Sequence, residues 1–316
     1  MANKAPVVLI IFNRPDLLKK TFEKVRQYQP KELFIIADGP RKDHPGEAEK
    51  CIETRNVVSN IDWECKVYQN YSADNMTSAK RVRTGLSWVF KKVDRAIILE
   101  DDCVANSDFF DYCSTLLELY KNEEKVWTIT GDNFQSGRKR GSASYYFSKY
   151  FHCWGWATWA RCWNIAIDEN LSFWPSLKSS KDWEMIHPNK DERKYWGDIY
   201  EDIYNGKVDY WDYWFQASVT NNYGLTATPN VNLVTNEGFG PDATNTIIVD
   251  KKKSGLKNYS IGNLTHPEVI KKDKKADSYV FKYHYGGKSQ FFFRKLLRFF
   301  MVEKFVKNIY SVYFKH

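Results

Sequence analysis

Short, nearly unbroken apolar runs alternate along the first half of the chain with longer segments in which apolar residues recur three or four apart. Val7-Val8-Leu9-Ile10-Ile11-Phe12, after Pro6, has the pattern of a strand buried on both faces. It stops at Asn13-Arg14-Pro15-Asp16, where Pro15 suits the first turn of a helix, and Leu17, Leu18, Phe22 and Val25 continue at helical spacing. Leu33–Ala37 repeats the strand pattern and ends in Asp38-Gly39-Pro40. A polar helical segment through Val57-Val58, a strand Cys65–Tyr68, and a helix with Ala79, Val82, Leu86, Val89 and Phe90 on one face come next. Ala96–Leu99 is a further buried strand, followed by a helix over 107–120 and a strand Val126–Thr130. This alternation predicts an α/β fold with a Rossmann-like first half, its parallel sheet covered on both faces.

The strand ends carry the chemistry. Open α/β sheets bind ligands beyond the carboxyl ends of their strands. There the sequence places Arg14 after the first strand, Asp38 after the second and Glu100-Asp101-Asp102 after the fourth. Adjacent carboxylates repel one another unless a cation or hydrogen-bond donors compensate. A Mg²⁺ or Mn²⁺ ion bridging to phosphate oxygens is one such compensation; a solvated acidic turn is the plainer alternative. Arg14 suits a phosphate and Asp38 a base or ribose edge, against a surface ion pair and a turn former. No GxGxxG follows the first strand and no GxxxxGK[ST] occurs, which disfavours a dinucleotide oxidoreductase and a P-loop NTPase.

The middle of the chain is aromatic. From Phe151-His152-Cys153-Trp154-Gly155-Trp156 a helix is expected to begin near Trp156, with Trp156, Trp159 and Trp163 on one face as core or as a ligand platform. In Trp211-Asp212-Tyr213-Trp214 an acid stands among aromatics. It is either a general base with a raised pKa or a surface acid of an amphipathic helix. Asn232–Thr246 is a Gly- and Asn-rich loop of the kind that closes over a ligand.

Composition adds three points. The 316 residues are 43% hydrophobic with 12 Trp, ample for a core. Six cysteines without a CxxC pair or zinc spacing read as buried thiols of a reducing compartment. The polar start Met1–Pro6 does not open a signal peptide and no apolar run approaches membrane-spanning length, so a cytoplasmic protein is expected. Charge is uneven: from Asp250 onward 16 Lys/Arg face 5 Asp/Glu, within a whole-chain net of +8. Residues 250–290 have the composition of a linker. Phe291–Phe314 mixes aromatic and basic residues, as in a helix lying on an anionic membrane surface; a packing or dimer helix and, last, nucleic-acid binding are the alternatives.

The Glu100-Asp101-Asp102 triplet followed by Asp108-Phe109-Phe110 resembles the metal region of GT-A nucleotide-sugar glycosyltransferases, of the N-acetylglucosaminyltransferase I type and its bacterial relatives. The resemblance extends discontinuously over about residues 6–245. It implies a GT-A domain over 1–249, with a nucleotide-sugar half (1–105) and an acceptor half (106–249), and a basic C-terminal extension over 250–316. By position it implies Asp102 as the ligand of Mn²⁺ (or Mg²⁺), and Glu100 and Asp101 at the sugar or ribose. Arg14 would contact the diphosphate and Asp38 the uracil. Arg81 falls where that family has a histidine near the nucleotide. Trp154-Gly155-Trp156 corresponds to the donor-sugar loop, and Trp211 with Asp212 to the stretch that holds the catalytic base. The segment 164–207 is longer than in the eukaryotic enzyme and points to a different acceptor, and no histidine stands near Asn245 as a second metal ligand.

The expected function is thus a metal-dependent inverting transfer from a nucleotide sugar, UDP favoured. The acceptor would be a glycan or lipid-linked acceptor in surface-polysaccharide synthesis, at the inner face of the cell membrane, without nucleic acid. A non-catalytic nucleotide-sugar-binding protein and a Mg²⁺-dependent nucleotidyltransferase or phosphohydrolase are the competing classes.

Overall fold

The apolar runs of the first hundred residues pair as four parallel strands. In the computed structural model, which describes residues 4–239 and 256–286, β1 (Val7–Ile11), β2 (Glu32–Ala37), β3 (Lys66–Tyr71) and β4 (Arg95–Glu100) lie in the order β3-β2-β1-β4. Helices α1 (Pro15–Tyr28), α2 (Glu47–Val57) and α3 (Ser78–Val89) return the chain between them. Val7, Val8, Leu9 and Ile97–Leu99 are fully buried, which is why their runs are continuous and not alternating. The register pairs Ile11 with Ala37 and Ile10 with Glu100. Arg14, Asp38 and Glu100–Asp102 therefore leave the sheet along one rim.

Beyond β4 the sheet departs from the expected parallel one. β5 (Cys103–Ala105), α4 (Ser107–Leu119), β6 (Val126–Thr130), β7 (Tyr145–Ser148) and β8 (Trp156–Trp159) are followed by α5 (Ala160–Ala166), α6 (Trp174–Ser179), α7 (Lys181–Ile186), α8 (Lys190–Tyr204) and α9 (Trp211–Asn221). β9 (Leu225–Pro229), β10 (Val234–Asn236) and α10 (Lys274–Tyr283) complete the described elements. The main sheet has eight strands, β3-β2-β1-β4-β8-β6-β9-β7. β8 is antiparallel to β4 and β6, and β7 is antiparallel to β9.

The helix expected from Trp156 therefore starts only at Ala160. Trp156-Ala157-Thr158-Trp159 instead fills the slot between β4 and β6, where Trp156 faces both Ile98 and Thr130. Spacing of 156, 159 and 163 suits a helix, but the bulky and β-branched residues also suit a strand, and pairing on both sides decides. The reversal has a consequence for the site: an antiparallel strand starts where its parallel neighbours end. It delivers the loop 152–155 to the rim that carries the acids.

The stretch expected as a linker is, in its described part, built into the body. The Ser144 N–H donates to the Thr265 carbonyl (3.1 Å) and the Asp273 N–H to that of Phe147 (2.7 Å), so residues 265–273 cover outermost strand β7. A covered edge cannot recruit a foreign strand. α10 then buries Ala276, Val280 and Phe281, and Asp277 accepts from Ser148 Oγ at 2.7 Å. Its Lys-rich composition belongs to the solvated face, which hides the buried one from a reading of composition alone. Phe291–Phe314 lies outside the described residues. Among the described residues no helix is long and apolar enough to cross a membrane.

Candidate active site

Arg14 leaves β1 at the start of α1, and its guanidinium bridges two carboxylates. It bonds Asp101, and its Nη1 lies 2.8 Å from Asp102 Oδ2. Asp101 also accepts from the Phe12 N–H at 3.2 Å and is buried, so its oxygens are turned to Arg14 and the β1 turn. Asp102 is covered from the far side of the chain. β5 and β10 form an antiparallel ribbon pairing Cys103 with Asn236, and the Glu237 N–H donates to the Asp102 carbonyl at 3.0 Å. Gly238 then lies on the carboxylate itself: a Cβ there would stand 1.9 Å from Asp102 Oδ2 and 2.9 Å from Arg14 Nη1. Only glycine permits that approach.

Three carboxylates share one arginine at this pole. Burial pushes the carboxyls of Glu100 and Asp101 above the usual range, the charge of Asp102 raises them further, and Arg14 opposes both effects. Among the described residues no three His, Cys, Asp or Glu side chains converge closely enough to hold a metal by themselves. The donor set does fit the mode in which Mg²⁺ or Mn²⁺ takes one or two carboxylates and completes its shell with phosphate oxygens and water. Asp102, with Glu100 half-exposed beside it, offers that hard-oxygen, net-negative environment.

The other pole is Asp212, in the first turn of α9. Burial raises its carboxyl to about 6, against its own N–H and that of Tyr213. Its charge is among those that push Glu100 up, so the two acids are electrostatic neighbours. Cys153 feels charges from both poles. Burial, followed by the charges of Asp212, Glu100, Asp132 and Asp102, keeps its thiol protonated. The turn after it requires Gly155 at φ +65°, where a Cβ would meet Val234 Cγ2 at 2.6 Å. Trp154, half-exposed, packs edge-on against Phe239, next to Gly238, with ring centroids 5.6 Å apart.

Other expected contacts lie elsewhere. Trp156 and Trp211, expected at the donor, stack on each other at 5.8 Å and are 1% and 6% exposed. Their rings are core beneath Asp212 and present no open face, because β8 turns Trp156 inward. Asp38 and Arg81 form a separate cluster. Asp38 accepts from the N–H groups of Gly39 and Met76, each 2.9 Å, and from Asn75 Nδ2 at 3.0 Å. Buried Arg81 bonds the Asn70 carbonyl and its Oδ1 (2.9 Å). Together they brace the turn 70–77 at the rim. Cys153 and Asp132 were not expected, while Gly238 belongs to the loop expected to close over a ligand. Asp132 follows β6, accepts from Thr130 Oγ1 at 2.6 Å, and is pushed up to about 7 by burial. The strand-end rule that singles out Asp38 and Glu100 would also have singled out Asp132.

Residues 1–197 match the model of the GNT-I family. An alpha-1,3-mannosyl-glycoprotein 2-beta-N-acetylglucosaminyltransferase of Arabidopsis thaliana is 25% identical over 211 residues, 60% of this chain. The aligned part is 44% of that relative, so the chain spans less than half its length. Among solved structures, a galactosyltransferase with donor and acceptor sugar analogues aligns at TM-score 0.34 and 10% identity over 80% of this chain and 84% of that one. A 4-diphosphocytidyl-2C-methyl-D-erythritol synthase from Anaerococcus prevotii aligns at 0.36 and 10% over 71% and 88%. Overlays this loose carry no residue role across.

Proposed function

The chain belongs to the GNT-I family, and on that footing we propose that it is a metal-dependent, inverting glycosyltransferase of the GT-A fold. It takes a sugar from a nucleoside diphosphate, UDP favoured, to a hydroxyl of a glycan or lipid-linked acceptor. The observation that carries this reading is the pairing of poles across Glu100. A carboxylate raised to about 6, Asp212, is close enough for its charge to act on Glu100, which also feels Arg14 and Asp102. An in-line displacement needs that arrangement: a base on one side of the reacting carbon and charge stabilisation of the leaving group on the other.

In the proposed step the acceptor hydroxyl gives its proton to Asp212 as its oxygen bonds the anomeric carbon. The bond from that carbon to the diphosphate oxygen breaks, and the nucleoside diphosphate leaves with the electron pair. A single displacement inverts the centre, the logic that separates inverting from retaining glycosidases. Arg14 donates to the diphosphate oxygens, charge-assisted and bidentate. Asp102, with Glu100 beside it, would hold a Mn²⁺ or Mg²⁺ ion; when bound, the ion neutralises charge on the departing diphosphate. Asp101 acts on Arg14, fixing its direction.

Thermal shift with UDP, GDP, dTDP and CMP, each with and without Mn²⁺, tests the donor pole. One diphosphate is expected to stabilise the wild type by about 2.7 kcal/mol at a hundred times its Kd, only with Mn²⁺, and not to stabilise Asp102→Ala. No shift with any nucleotide would remove the donor assignment.

The basic, aromatic stretch 291–314 supports placement at an anionic surface, where a lipid-linked acceptor of surface-polysaccharide assembly would be met. Cosedimentation with phosphatidylserine vesicles at low salt is expected, weakening as added salt shortens the Debye length. Equal recovery with neutral vesicles would count against that placement.

A further inference from the structure

The segment after α10 lies beyond the residues that match the family model, yet it packs against the surroundings of Cys153 and α9. Tyr285 follows α10, its N–H donating to the Val280 carbonyl at 3.2 Å. α10 itself is pinned by Asp277 on Ser148 Oγ and by Gln135 Nε2 on the Ala276 carbonyl (3.2 Å). The Tyr285 ring stacks near-parallel to His152, the neighbour of Cys153, at 6.3 Å and 20°. It also packs edge-on against Trp196 of α8 at 5.0 Å, and Trp196 in turn contacts Tyr213, the residue after Asp212, at 6.1 Å. Tyr285 thus touches the neighbour of Cys153 directly and the first turn of α9 through one side chain, and it remains half-buried.

The charges order the site. Glu100 responds to Arg14, Asp102 and Asp212. Burial, then Tyr195, Tyr213, Asp212 and Cys153, push the Tyr285 hydroxyl up. Through Trp196, Tyr285 packs towards Tyr213, the residue after Asp212, and so lies on the α9 side of the site. A half-exposed phenol beside a general base offers a flat apolar face with a polar tip. That is the surface on which a sugar ring packs through its C–H face while its hydroxyls reach the carboxylate.

Building on the transferase reading, we propose that Tyr285 forms the acceptor-side wall of the site, holding a saccharide ring so that its attacking hydroxyl meets Asp212. The C-terminal segment thereby supplies acceptor specificity that residues 1–197 do not contain.

Wild type, Tyr285→Phe and Tyr285→Ala are compared in two assays: the thermal shift with UDP and Mn²⁺, and initial rates from UDP-N-acetylglucosamine to a panel of p-nitrophenyl hexosides. The UDP shift is expected to be the same in all three. The KM for the hexoside used is expected to rise about tenfold in Tyr285→Ala, equivalent to 1.4 kcal/mol. In Tyr285→Phe, which keeps the ring and the fold, a rise of about threefold is expected for one lost neutral hydrogen bond. An unchanged hexoside KM in both variants overturns the proposal. So does loss of the UDP shift together with the KM effect, which would mark a structural role. A wild type that releases UDP to water but serves no hexoside also overturns it. A wild type with neither UDP shift nor UDP release would sink the transferase reading itself, and this inference with it.

Discussion

Asp212→Asn is expected to lower kcat by about 10²–10⁴-fold, the usual contribution of a positioned general base, while the affinity for UDP stays within a factor of two or so. The amide is isosteric but cannot take the acceptor's proton. The pH dependence supplies an independent check. Burial holds the Asp212 carboxyl at about 6, so the base is free above that pH and kcat falls as pH drops through it. The sign for stability is opposite. A carboxyl whose folded pKa is raised binds its proton more tightly folded than unfolded, so stability rises as pH falls from about 6 towards the unfolded value. At neutral pH the ionised acid costs stability on the order of 3 kcal/mol, and Asp212→Asn is expected to be the more stable protein. Rates over pH 5–8, with urea melts of both proteins at pH 7.5, measure this. An active and less stable variant would show that Asp212 serves the fold and not the chemistry.

The second large effect belongs to Arg14. It is the cation between Asp101 and Asp102, with most of its surface buried, and its own pKa is held up by those two carboxylates despite burial. Arg14→Met keeps the aliphatic stem and removes the charge. Breaking a buried pair from one side strands the partner's charge, at a cost of about 3–5 kcal/mol. The loss is expected to appear as a lower urea midpoint with an unchanged slope, together with loss of the UDP shift. Asp101→Asn would be milder, since Asp102 still holds the guanidinium. A variant of wild-type stability would mean that the carboxylates are already neutralised by other means.

Where strands are buried on both faces, sequence and structure agree closely. β1, β2 and β4 appear as apolar runs because their interior positions are buried on both faces, and the strand-end rule then places Arg14 and the acids on one rim. The reading weakened where tertiary pairing outvotes local pattern. Trp156, Trp159 and Trp163 are spaced for a helix, but the slot between β4 and β6 takes 156–159 as a strand and turns Trp156 into the core. Asp212 among aromatics was legible as an unusual acid; that Trp211 packs under it, facing no ligand, depends on a stacking partner 55 positions away. The C-terminal segment was hidden by composition. Its lysines Lys257, Lys271, Lys274, Lys275 and Lys282 are exposed, while four positions, Ala276, Asp277, Val280 and Phe281, carry the buried face of α10.

The ribbon of β5 and β10 joins residues 103 and 236, and Tyr285 meets the neighbourhood of residue 213. The parallel half β1–β4, by contrast, ends by residue 100. Chains emerge from the ribosome amino end first, and domains form in that order. The acidic rim is therefore made long before Gly238 arrives to cover it, and the wall beside the base is the last part of the described chain to be translated. Long-range closures of this kind are also the slow ones to fold. A nascent chain that ends after β4 carries Arg14 and the acids but neither Gly238, which covers Asp102, nor Tyr285. On the proposed transferase reading, the acceptor side of the site is therefore the last to be completed.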